Sequence, residues 1–93
     1  MRIAGYIEHP ELKITIFQMD NRFTVKFEDS RAEQAFKFRT GPGLQHVQDL
    51  RRLIDPTFIG EVSRQMQQLH RLQAEALARH APPETEDEFE DIL

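Results

Sequence analysis

The chain has 93 residues, 39% of them hydrophobic and 30% charged, with no cysteine and a formal net charge of −4. That length makes one domain with one modest core, and the composition is that of a globular chain rather than a disordered one. Disulfides and thiolate metal sites are excluded, and no apolar run approaches the ~20 residues that a membrane-spanning helix needs.

The charge is unevenly spread. All twelve Lys and Arg precede Pro82, whereas residues 84–93 hold six acids and no base. Setting those six negative charges aside leaves residues 1–83 at +2. A near-neutral body with an acidic tail is a different object from a uniformly acidic protein.

In chain order, a short strand is predicted over 2–8, with Gly5 marking a bulge or a sheet edge. Glu8-His9-Pro10-Glu11 reads as a turn, because Pro10 removes a donor and restricts the residue before it. Two strands follow, 12–19 and 22–28, in which apolar and mostly polar positions alternate. That period belongs to a strand with one buried face, so Leu12, Ile14, Ile16, Phe23, Val25 and Phe27 point one way. Asp20-Asn21 joins them, two residues that tolerate the left-handed conformation of a tight hairpin turn. After a second turn at Glu28-Asp29-Ser30-Arg31, a fourth strand over 32–39 sets Ala32, Gln34, Phe36 and Phe38 on one face.

Thr40-Gly41-Pro42-Gly43 breaks the chain, and the period then changes. Leu44, Val47, Leu50 and Ile54 fall three or four apart, predicting a helix over 44–54. Asp55 is placed to cap a second helix and Pro56 to occupy its first position. Phe58, Ile59, Val62, Met66, Leu69, Leu72, Ala76 and Leu77 trace one stripe of that helix over 56–80, until Pro82-Pro83 stops it. Residues 82–93 lack periodicity and read as a disordered acidic tail. The fold class expected is α+β: a four-stranded antiparallel meander followed by two helices, a ββββαα two-layer sandwich forming a single domain over 1–81.

No constellation of catalytic residues is evident. His9, His46, His70 and His80 do not form a local metal pair, and Glu28, Asp29 and Glu33 cluster at a turn rather than in a cleft. Ser30 and Ser63 lack a nucleophile-elbow context, and Gly41-Pro42-Gly43 lacks the Lys and Ser or Thr of a phosphate loop. The expectation is a protein that is not an enzyme, with no catalytic residue, no metal site and no cofactor. The N-terminus enters a strand-like pattern directly, with no apolar stretch typical of a signal peptide, which favours a cytoplasmic protein without membrane contact.

Two binding readings remain. The second helix, about 37 Å long at 1.5 Å per residue, outruns strands of ~20–27 Å. Its far half then needs a protein partner or a second copy of the chain. The residues expected in that contact are Met66, Leu69, Leu72, Ala76 and Leu77, joined by Phe89 and Ile92 of the tail. This makes the chain a small protein–protein interaction or regulatory module. The alternative lies on the other face of the sheet, where alternation gathers five bases against two acids. Lys13, Lys26, Lys37 and Arg39, with Phe17 exposed among them, would suit single-stranded DNA or RNA: charges for the backbone and a ring for stacking.

Overall fold

A computed structural model describes residues 1–80. They form four strands and two helices: β1 Arg2–Ile7, β2 Lys13–Met19, β3 Arg22–Glu28, β4 Glu33–Arg39, α1 Val47–Leu53 and α2 Pro56–His80. The strands make one antiparallel sheet in the order β1-β2-β3-β4. This is the α+β meander that the alternating pattern and short links predict. The tail lies outside the described residues.

Leu12 and the inward positions of β2 and β3 are the floor of the core. Leu12, Ile14, Ile16, Phe23, Val25 and Phe27 are all buried, together with Leu50 and Ile54 from the α1 region and Val62 and Met66 from α2. Burying such side chains is worth about 1.5–3 kcal/mol each, so this one layer dominates the fold's stability. Phe58 of α2 packs with Phe27 and Phe36 at centroid separations of 5.9 and 5.2 Å, tying the first turn of the helix to the sheet. Gln34, the one polar residue on the inward face of β4, donates from Nε2 to the Val62 carbonyl at 3.0 Å. A half-buried amide is thereby satisfied and becomes a clip between the layers.

Local chemistry sets the ends of the elements. Asp55 caps α2, its Oδ1 accepting from Phe58 N at 2.8 Å, and Pro56 opens the helix. The first helix is shorter than its apolar spacing predicts, starting at Val47 rather than residue 44. Gly41 and Leu44 exchange backbone hydrogen bonds of 3.1 and 2.9 Å around Pro42-Gly43, with Gly43 at φ 80°. Pro followed by a positive-φ Gly is the type II turn signature, and it withholds Leu44 from the helix. The Asp49 carboxylate then accepts from Gln45 N and His46 N, at 2.9 and 3.0 Å, which begins α1 one turn later. The Asp20-Asn21 turn also differs from expectation. Among the described residues no non-glycine residue has positive φ, so the two-residue link closes without the left-handed geometry. Asn21 is held instead through its carbonyl, which accepts from Thr40 N at 3.0 Å.

Two glycines make a test of opposite sign. Gly60 lies in α2 with open space around the position of a Cβ, so Gly60→Ala raises stability by about 0.5–1 kcal/mol through helix propensity. Gly43 also has open space, but its positive φ strains any side chain, so Gly43→Ala lowers stability by about 1 kcal/mol. Urea unfolding of the two variants beside the wild type checks both signs.

Candidate functional surfaces

The helices cover one face of the sheet and leave the other open. The register arranges that outer face as rows running across the strands. Met19 of β2 lies opposite Arg22 of β3, and Arg22 opposite Arg39 of β4. The next row is Ile3, Phe17, Thr24 and Lys37, and the next is Tyr6, Thr15, Lys26 and Ala35. Lys13, Glu28 and Glu33 make the last. Both acids of the face thus sit at one end, leaving the first three rows with four bases, Arg22, Lys26, Lys37 and Arg39.

The five residues expected there do share this face. Lys13, Lys37 and Arg39 are exposed. Lys26 is half-buried, paired with Glu28 at 3.3 Å and lying 5.7 Å from the centre of the Phe17 ring. Phe17 is half-buried rather than exposed, because it is flanked by Ile3 and Thr24 on the neighbouring strands. Two further contributors are not legible in the alternation: Tyr6, 53% exposed, and Ile3, 51% exposed. They lie three residues apart, which strict alternation assigns to opposite faces. The bulge between Ile3 and Gly5 inserts Ala4 and returns both to the outer side. Gly5 was the sequence signal for that bulge, and it also leaves room for Arg51, whose Nη1 donates to the Tyr6 carbonyl at 2.9 Å.

The second surface is the far end of α2. Met66 does not belong to it. At 3% exposed, Met66 is core, because Gln34 of β4 lies against its sulfur at 3.8 Å and Leu12 and Asp29 at the sheet's end line the same cleft. Leu69 is half-buried and packs against the same core. Two contacts hold the helix beyond this point. His70 Nε2 lies 2.8 Å from Asp29 Oδ2, and Gln73 Nε2 donates to the Arg31 carbonyl at 2.8 Å. From Arg71 to His80 every residue is exposed, with Leu72 at 59% and Leu77 at 70%. Gln73, Ala74, Ala76 and Leu77 line an open groove of about 560 Å³ with Arg31. Phe89 and Ile92 fall outside the described residues.

A third place has residues of hydrolytic type. Ser63, His70 and Asp29 line a small cleft of about 80 Å³ with Glu11, Leu12, Met66 and Gln67. Ser63 and His70 are two helical turns apart, about 10 Å along the axis, and make no hydrogen bond to each other. The Asp29 carboxylate is committed to structure: its Oδ1 accepts from Arg31 N at 2.8 Å and Ala32 N at 2.9 Å. His9 is likewise engaged, its Nδ1 accepting from Glu11 N and Leu12 N at 3.1 Å each in the β1–β2 turn. Among the described residues no three His, Asp or Glu side chains group as metal ligands, and no helix is long and apolar enough to cross a membrane. Comparison with protein-family models, with curated proteins and with solved structures finds no match.

The hydrogen bond from Arg31 N is the largest cause holding the Asp29 carboxyl below its ordinary value; desolvation opposes it, and Ala32 N and His70 add to it. Asp49 is lowered in the same sense by Gln45 N and His46 N. A carboxylate with a depressed folded-state pKa stabilises the fold above its unfolded value, about 4, and loses that contribution as the pH falls through the folded value. Stability is therefore expected to fall with acidification below about pH 4. Asp29→Asn should flatten that fall, as followed by thermal melts from pH 6 to pH 2.5.

Proposed function

We propose that the protein is a non-enzymatic interaction module that docks through the outward end of α2, and that a second copy of the chain is the occupant of that surface. One observation carries this reading. The apolar stripe of α2 runs on past Leu69, its last residue packed on the core, and leaves Leu72 and Leu77 uncovered on either side of Ala76. Leu69, Leu72 and Ala76 fall three and four apart, and a small residue between exposed leucines lets a second helix approach closely. Arg71, Glu75 and Arg79 carry both signs along this stretch, so a second copy meets a surface that does not repel its own. The non-enzymatic part of the reading is supported by the engagement of Asp29 and His9 in local structure and by the separation of Ser63 from His70. A cytoplasmic setting belongs to the same proposal, since a chain without cysteine gains nothing from an oxidising compartment.

The variant that tests this must spare the core. Leu72→Glu/Leu77→Glu changes only exposed positions, whereas Leu69 and Met66 are structural. Light scattering after size exclusion is expected to give the mass of a dimer for the wild type and of a monomer for the double variant, with unchanged circular dichroism. A wild type that stays monomeric at about 100 μM, a hundred times the Kd of an ordinary micromolar contact, ends the reading.

A further inference from the structure

The outer face of the sheet is a separate surface, and what it presents is independent of whether α2 pairs. We propose that it binds single-stranded nucleic acid, with Tyr6 and Phe17 as stacking platforms and Arg22, Lys26, Lys37 and Arg39 as contacts to phosphates.

The placement of the rings is the first argument. Tyr6 lies opposite Thr15, and Phe17 is two residues further along the same strand. Diagonal neighbours of this kind are about 7–8 Å apart, so the exposed Tyr6 ring and the Phe17 ring, once the Lys26 ammonium over it turns to a phosphate, offer platforms to two successive bases of a splayed single strand. A duplex hides its base faces and gains nothing from such a platform.

The charges are the second argument. Arg22 and Arg39 face each other across β3 and β4, a like-charge pairing that costs stability unless an anion lies between or beside them. Arg22 Nη2 donates only to the Met19 sulfur, at 3.3 Å, and its Nε is buried without a hydrogen-bond partner. Among the described residues Arg22, Lys37 and Arg39 form no ion pair, while Lys26 pairs with Glu28 at the edge of the acidic end. The unpaired bases Arg22, Lys37 and Arg39 thus lie in the row of Phe17 and the row beyond it, while Glu28 reaches only Lys26, in the row of Tyr6.

An acidic peptide shares the attraction to the bases but has no use for paired flat rings, and this separates the two ligands. The experiment is fluorescence anisotropy on the full chain with a labelled twelve-nucleotide oligo-dT, its RNA counterpart, a duplex of equal length, and a synthetic peptide of residues 84–93. Titrations are run at about 50 and 200 mM salt, a range over which phosphate contacts reveal themselves. Single strands are expected to bind more tightly than the duplex or the peptide. Tyr6→Ala, at an exposed position that leaves the fold intact, should weaken single-strand binding about tenfold at both salts, the loss of one stacked base. Lys37→Glu/Arg39→Glu should weaken it most at low salt and flatten the salt dependence by about two phosphate contacts. Thermal melts should match the wild type for Tyr6→Ala and lie at or above it for Lys37→Glu/Arg39→Glu, which relieves the Arg22–Arg39 repulsion.

Absence of single-strand binding by the full chain at about 50 mM salt overturns the proposal. So does binding that ignores both Tyr6→Ala and Lys37→Glu/Arg39→Glu, or a peptide that binds as tightly as the oligonucleotides. The Leu72→Glu/Leu77→Glu chain should retain the oligonucleotide affinity of the isolated site, so a failure of the α2 reading and a failure of this one give different results.

Discussion

One constraint governs the molecule: a pleated strand sends successive side chains to opposite faces. In the β2–β3 hairpin the constraint is met with little ambiguity, because Ile14, Ile16, Phe23, Val25 and Phe27 are nearly inaccessible and only Gln18, opposite Phe23 at the turn end, is polar on that face. A slip of one residue would expose all of them at once. The register is therefore locked, and the locked register decides everything downstream. It determines which face the helices must cover, and it delivers a complementary set of polar and basic residues to the face they do not cover.

The two layers are then joined by few polar contacts, each placed where the apolar packing thins. Gln34 reaches the Val62 carbonyl near the middle of α2. Asp29 holds its own turn and meets His70. Gln73 reaches the Arg31 carbonyl at the sheet's edge. Arg51 performs the same service for β1, where the backbone departs from regular pairing. These contacts orient the helices on a core that already supplies the adhesion.

Much of this architecture could be read from residues alone. Alternation in the four strands, the change of period after Gly43 and the Asp55-Pro56 boundary are local signals, and each is strong because it reflects a local physical rule. The candidate surfaces were less legible, for non-local reasons. The 3–4 spacing of α2 is the same where the sheet lies beneath it, at Met66, and where nothing does, at Leu77. Only the position of the β3–β4 turn separates the two. Tyr6 and Ile3 cannot be read as sharing a face because a single extra residue at Ala4 overrides alternation. Gly5 hinted at a bulge but not at its effect on the residues either side. The delayed start of α1 has a similar origin: Leu44 fits the helical period, yet Pro42-Gly43 closes a turn that claims its N–H.

The tether at Gln73 divides α2 in a way its outline conceals. Amides before it can exchange with solvent only when the sheet–helix interface opens, at a cost approaching that of the whole domain. Those after it are protected by little beyond the intrinsic preference of alanine, leucine, glutamate and arginine for helix, and a segment so short is marginal by itself. What is geometrically one rod is thus energetically two, with a boundary one turn long. An element of this kind can be ordered or melted at its free end without disturbing the fold that carries it.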